Sequence, residues 1–547
     1  MSDCNIVIIG AGVGGISFAI NLKRQLGVDN FMIYDKGSDV GGTWRDNVYP
    51  GAASDTFVHL YSLSTDLNPG WSSTIGSQPE MCAYWRNLTR KYDLYRHISF
   101  NHEVISAEWN TKEELYHIVV RNALGVESTT TAKILISAIG VLEAPRFPDI
   151  PGISLFEGNQ FHSAQWNTEL ELRGKRVAVI GNGASAMQFV PIISEDSTVE
   201  VTEFCRTPNW LVPAMNIKYH WLSKWAFSYV PFVLFLHRFS LFLTLELLYL
   251  LVFHNAPLRF LMKMVILRML AKKTECLTKS QTMKKYISTT APKEAVVKLI
   301  PDYKPGCKRL LQDTNYLTAL HRPNLILNWD GIHSIFERGI ITEKGVKLEF
   351  DVMIFATGFV TDQFPIQIRG TGGKTIQQYY DSQGGPKAYL GVTIPGFPNL
   401  FMIAGPNTTT GHTSVLLFEE LQIDYILKFV KPILDGAVST FEVSSEATDQ
   451  YNNWIHTRLS RSVHMSCVSW YRVGGTGKIS SIFPGSGTLF WWCTRTPRWS
   501  DYKISEKSDW KELVRRQQLT GLFGGTISLA AAIFYFAGRS GLGFQDW

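Results

Sequence analysis

Two glycine-rich turns, each set between a short apolar strand and a helical segment, commit this chain to a doubly wound α/β architecture. The first, GAGVGG from Gly10 to Gly15, follows CNIVIIG and precedes ISFAINLKRQL, whose apolar residues recur at helical spacing. Gly10 permits the turn, Gly12 lets the backbone approach a pyrophosphate, and Gly15 lets helix and strand pack closely. The phosphates then meet the positive end of a helix. A further strand, NFMIYDK, places Asp35 twenty residues after Gly15, where a carboxylate suits ribose hydroxyls and repels a 2′-phosphate.

The second turn, GNGASA from Gly181 to Ala186, follows KRVAVIG and leads into a helix. The strand after it, VEVTEFCRTPNW, ends on Arg206 and Thr207, near the position that Asp35 holds in the first unit. A guanidinium there binds a 2′-phosphate in bidentate fashion, so the second dinucleotide reads as NADPH. Glu200 and Glu203 alternate with Val199, Val201 and Phe204 and read as solvent-facing strand residues; NADH stays open as the alternative.

At 547 residues the chain has room for two or three domains with full cores. Its net charge of +6 is modest and its basic residues are scattered, which argues against nucleic-acid binding. Seven dispersed cysteines with no CxxC pair predict reduced thiols and no metal site. The strand so close to the N-terminus predicts no signal peptide. Residues Leu519 to Gly538 carry no charge and are long enough for about 30 Å of helix. Preceded by Lys511, Arg515 and Arg516, they predict a single-pass tail anchor with the catalytic part cytosolic, against the alternative of a buried or amphipathic terminal helix. A second apolar region, Trp225 to Phe253, is interrupted by His237, Arg238 and Glu246. It reads as a helical insert burying its apolar face, with contact to a membrane surface or a lipophilic substrate as the alternative to plain core.

Between the loops lie GGTWRDNVYPGAASD, residues 41 to 55, and FEGNQFHSAQW, residues 156 to 166. Small residues in the first let a flat ring lie close to the backbone, and Trp44 and Tyr61 offer aromatic faces. These motifs resemble those of the class B flavoprotein monooxygenases, Baeyer–Villiger enzymes above all: Gly42 to Asp55 match [AG]GxWxxxx[FY]P[GM]xxxD, and Phe156 to Trp166 match FxGxxxHxxxW. Asn167 stands where the family has Pro or Asp. PGCKRLLQDTNYL, DVMIFATGF, GFPNLFMIAGPNTTTGHTS and CVSWYRVGGTGKISSIFPGS continue the resemblance in family order.

The resemblance implies an FAD- and NADPH-dependent monooxygenase in which NADPH reduces FAD and the reduced flavin takes up O₂ as a C4a-peroxyflavin. It implies Arg309 as the fixed positive charge beside the oxidant and Asp55 as the carboxylate that orients it. It implies cofactor contacts at Thr43, Trp44, Ala53, Ser54, Tyr61 and Val104, and at Asn182, Gly183, Ala184, Ser185, Ala186, Met187 and Gln188. Lys308 joins Arg206 and Thr207 as a ligand for the 2′-phosphate. His162 and Trp166 belong to the linker between nucleotide domains. The expected boundaries are an FAD domain at 1–150 and 386–500, an NADP domain at 151–212 and 320–385, a helical insertion at 213–319, and a tail at 501–547. The expected reaction is oxidation of a lipophilic ketone or aldehyde to an ester or lactone. N- or S-oxygenation, a two-nucleotide disulfide reductase and a non-catalytic nucleotide-binding membrane protein are the alternatives. Substrate identity and oligomeric state lie beyond the sequence.

Overall fold

The computed structural model describes residues 4–253 and 280–506, so the apolar stretch 519–538, Cys276 and most of the expected tail lie outside the described residues. Two five-stranded parallel sheets organise the chain. In the first, Ile6–Ile9 lies between Phe31–Asp35 and Ile134–Ser137, with Ile98–Phe100 and Leu400–Met402 at the edges. In the second, Arg176–Ile180 lies between Glu200–Phe204 and Val352–Phe355, flanked by Leu325–Asn328 and Asn159–His162. Both central strands are buried on both faces, which is why they read as unbroken β-branched runs.

The two glycine turns have matching geometry. Gly10 has φ +103° and Gly181 φ +102°, and a Cβ on either would lie 2.6 Å from the carbonyl oxygen of the next strand, at Ala138 or Ala356. Both helices, Val13–Leu26 and Ala184–Ile193, therefore start at the carboxyl end of their sheet.

The insertion is mostly helical, with Trp221–Tyr229, Val233–Phe253 and Ser280–Thr290, but it begins and ends on strands. Leu211–Pro213 and Leu311–Asp313 pair in parallel, Leu211 opposite Leu311. Helix Val233–Phe253 buries Phe242, with Leu241 and Leu245, against Leu60 and Leu417, and its charged residues turn inward as well. Arg238 and Glu246 are buried, while Trp221, Trp225, Tyr229, Phe232 and Leu236 are exposed on this helix and the segment before it. The Arg238 guanidinium donates to the carbonyls of His59 (2.6 Å) and Ser62 (2.8 Å) and faces Glu420 (3.5 Å), so polar contacts join the apolar packing in docking this helix on the first domain. Among the described residues no single helix is long and apolar enough to cross a membrane; Trp221–Tyr229 and Val233–Tyr249 reach that length and composition only together, across a 108° bend.

Two further expectations are corrected. Cys307 and Cys467 form a disulfide with Cα atoms 6.1 Å apart, a tertiary pairing over 160 residues that spacing along a chain cannot reveal. Glu200 is exposed, but Glu203 is fully buried and accepts a hydrogen bond from Tyr316 (2.5 Å), because its strand has a helix layer on that face. Burial pushes its carboxyl up to about 8. The folded state thus keeps a proton that the unfolded chain, with a carboxyl near pKa ~4.3, releases. Stability falls as pH rises from the unfolded value toward the folded one, then levels off. Melting temperatures between pH 5 and 8 should fall more steeply for the native chain than for Glu203→Gln; parallel curves would contradict the assignment.

Candidate active site

The parallel register of Leu211 with Leu311 dictates the centre of the site, because it sets the residues preceding each strand side by side. Arg206-Thr207 thereby meets Lys308-Arg309, a hundred residues later in the chain. Lys308 donates from Nζ to Thr207 Oγ1 (2.9 Å) and lies 4.9 Å from the Tyr303 ring centroid. Burial, then the nearby Arg206 charge, depresses the Lys308 ammonium. Two cations and a hydroxyl held together in this way fit a dianionic phosphate, which would relieve their repulsion.

One residue on, Arg309 turns the other way and makes a bidentate pair with Asp55, through Nε and through Nη2 (2.7 Å). Asp55 ends the glycine-rich segment and sits on the strand Ala53–Phe57, and Gln312 donates to its carbonyl (3.1 Å). The carboxylate raises the Arg309 guanidinium further above its already high range. Burial alone would raise Asp55, but the Arg309 charge and hydrogen bonds hold it below the usual carboxylate range. Arg309 also interacts with the buried Tyr471 hydroxyl. The pair is therefore ionised throughout the working pH range, and part of Arg309 stays open to the cleft.

Around the first turn, Gly12 caps its helix, and its Cα approaches Gly42, where a Cβ would lie 3.0 Å away. A Cβ on Gly15 would lie 1.9 Å from the Gly10 carbonyl oxygen, which fixes the third glycine by packing. Asp35 accepts from the Ala11 amide (2.7 Å), the Gly37 amide (2.7 Å) and Arg45 Nη1 (2.9 Å). With three of about four lone-pair positions taken, one is left for a ribose hydroxyl. Trp44 Nε1 donates to the Tyr61 hydroxyl (3.3 Å), their rings edge to face at 5.7 Å, and Thr43 opens the short helix before them. Ser54 is buried beside Asp55. Val104 packs in the core with Val7, Ile9 and Tyr34.

The sequence did not single out the start of the helix Val415–Leu434. The buried hydroxyls of Thr413 and Ser414 there and Glu419 Oε2 have no hydrogen-bond partner among the described residues. This helix packs on Val13–Leu26, so unsatisfied donors and two helix N-termini converge where the first turn opens. That arrangement fits the polar edge of a flavin. Burial, then the neighbouring Glu420, pushes Glu419 up to about 8, so it is protonated and able to donate at neutral pH. The only hint in the sequence is the segment NTTTGHTS, rich in hydroxyls.

At the second turn Gly183 caps its helix and a Cβ there would meet nothing within 4 Å, leaving the backbone open to a phosphate. Asn182 donates to the Thr207 carbonyl (3.0 Å), while Ala184 and Ser185 line the exposed start of the helix. Ala186 and Met187 point into the core and can offer a ligand only their backbone. Gln188 bridges the domains, donating to the Ala53 carbonyl (3.1 Å) and accepting from Tyr49 (2.9 Å). His162 is buried between Phe147 and Phe359, and burial lowers it to about 4, so it is neutral linker packing; Trp166 packs on Phe161 and Phe189.

Two dinucleotide turns on separate parallel sheets, joined by a buried linker and facing an arginine–carboxylate pair, define a two-nucleotide flavoprotein oxidoreductase. A family model described as pyridine nucleotide-disulphide oxidoreductase matches residues 7–230. A Baeyer-Villiger monooxygenase of Pseudomonas aeruginosa is 36% identical over 505 residues, 92% of each chain, and the FAD-binding monooxygenase ktnD of Aspergillus niger is 32% identical over 91% of this chain and 81% of that one. Cyclohexanone monooxygenase from Rhodococcus sp. Phi1 bound to NADP⁺ superposes with a TM-score of 0.78 at 26% identity, covering 92% of this chain and all of that one. OTEMO in complex with FAD and NADP does so with a TM-score of 0.78 at 26% identity, covering 92% and 99%. The chain belongs to the Baeyer–Villiger monooxygenase family of flavoproteins and is an NADPH-dependent monooxygenase that uses FAD.

Two predictions follow from this geometry. Lys308→Ala should raise KM for NADPH by roughly tenfold to a hundredfold and leave KM for NADH nearly unchanged, the range for one charged hydrogen bond; equal effects on both would remove Lys308 from the 2′-phosphate. Gly15→Ala should prevent stable FAD incorporation, measured as flavin absorbance per protein, whereas Gly183→Ala should fold with full flavin and lose affinity for NADPH alone.

Proposed function

We propose that this enzyme inserts one oxygen atom of O₂ between the carbonyl carbon and its neighbour in a lipophilic ketone or aldehyde, giving an ester or lactone. The second oxygen leaves as water, and NADPH supplies the two electrons. The observation that carries this reading is the bidentate Arg309–Asp55 pair beside Lys308 and the second turn. FAD, once reduced by NADPH, supplies the activation of O₂. Arg309 supplies a positive charge that cannot be lost at any working pH, aimed where negative charge on oxygen must be stabilised as it attacks a carbonyl. Asp55 fixes the plane of the guanidinium and stays ionised, so the arginine needs no reorganisation during reaction. Lys308, Thr207 and Arg206 hold the 2′-phosphate and so set the choice of NADPH. The apolar insert supports a hydrophobic substrate. Asn167, the departure from the family pattern, caps an exposed turn by accepting from the Glu169 amide (3.1 Å) and touches none of these groups.

Paired ketone and thioether substrates under ¹⁸O₂ test the reading. An ester carrying one labelled oxygen is expected; sulfoxide with no ester would assign the enzyme to heteroatom oxygenation. Arg309→Ala should lower ester formation by about a hundredfold or more, the scale of losing one preorganised charge. NADPH should still be consumed, with hydrogen peroxide as the product.

A further inference from the structure

Glu246 is an ionisable residue in an otherwise apolar stretch of helix, and it is buried. Taking a carboxylate out of water costs several kcal/mol unless its lone pairs are filled. Here all four are. Oε1 accepts from His412 Nε2 (3.1 Å) and the Gly487 amide (2.8 Å), and Oε2 accepts from the Thr488 amide (3.1 Å) and hydroxyl (2.8 Å). Burial alone would raise its pKa, and these donors hold it lower than usual. An ionised carboxylate only accepts, so His412 donates to it from Nε2, while its Nδ1 lies 2.8 Å from the Thr410 hydroxyl oxygen. Tyr249, three residues after Glu246 on the same helix face, lies against the ring at 4.2 Å between centroids.

His412 is thus held on three sides, and its position in the chain gives that a purpose. It follows Thr410, whose carbonyl faces Arg309 Nη1 (3.5 Å), and precedes Thr413 and Ser414, the unpartnered hydroxyls at the flavin edge. We propose that His412 is a positioning residue of the flavin site, fixed in one orientation by Glu246 and Tyr249 of the insertion helix. The insertion then does more than cover the cleft: it is the outer support of the 410–414 turn on which cofactor and arginine both depend. The inference rests on the flavin-edge reading of Thr413 and Ser414.

The test uses the full-length holoenzyme with His412→Phe, which keeps the ring contact with Tyr249 and removes both nitrogens, and Glu246→Gln, which keeps an acceptor for His412 but loses the charge. Readouts are the band shape of the visible flavin spectrum, the Kd for FAD on reconstituting apoenzyme, and the ratio of hydrogen peroxide to oxygenated product per NADPH. His412→Phe should alter the flavin bands, raise the Kd for FAD by about tenfold, as for loss of a charge-assisted hydrogen bond, and raise the peroxide share several-fold. Glu246→Gln should move all three in the same direction by less. If both variants keep native far-ultraviolet circular dichroism together with the native flavin spectrum, FAD affinity and product ratio, the proposal is overturned; should His412→Phe not fold, Glu246→Gln decides alone. Arg309→Ala keeps FAD affinity while losing oxygen insertion, so failure of this proposal and failure of the reaction assignment give different results.

Discussion

Three residues of parallel strand pairing, Leu211–Pro213 against Leu311–Asp313, hold the chemistry together. Backbone hydrogen bonds in fixed register bring the end of one nucleotide unit to the end of the insertion. Without them Lys308 has no reason to meet Thr207, and Arg309 no reason to face Asp55. A register slip of one residue would turn both basic side chains to the opposite face. The long detour through residues 214–310 is tolerable because loop-closure entropy grows only slowly with length, whereas the pairing that ends it is short and exact in its partners.

What that pairing delivers is two kinds of positive charge with different tasks. Among the described residues no carboxylate hydrogen-bonds to Lys308 or Arg206; burial and the Arg206 charge lower Lys308 against the pull of Asp302, an arrangement that suits an anionic ligand. Arg309, by contrast, is matched to Asp55 so that its charge is permanent and its plane fixed. Adjacent residues on one turn thus have different partners, Lys308 the Thr207 hydroxyl and Arg309 the Asp55 carboxylate, because their side chains take different directions.

Much of this was legible in the sequence because it depends on local backbone requirements. Gly10, Gly12, Gly15 and Gly181 are dictated by turns and close packing, and a reader can infer both sheets from the apolar runs beside them. Arg309 and Asp55 were legible as candidates, since their motifs are long, but their meeting was not, being a product of strand register. Glu203 was misread because alternation reports which side of a strand a residue occupies and not whether a helix covers that side. The insertion was legible as helical, but hydropathy could not tell that Arg238 and Glu246 dock inward, because the carbonyls, amides and histidine that satisfy them come from distant segments. For Thr413 and Ser414 the hydroxyl-rich run was the whole signal, since a hydroxyl without a partner is visible only once the rest of the chain is in place.

The bond between Cys307 and Cys467 acts as a leash on this machinery. A disulfide keeps its two Cα atoms within about 7 Å whatever the domains do. The turn that carries Lys308 and Arg309 is therefore fastened twice, to the segment bearing Tyr471 by the disulfide and to Thr207 by Lys308 and the strand pairing that follows it. One short turn is thus a junction, covalent on one side and hydrogen-bonded on the other, between the late part of the chain and the second glycine unit.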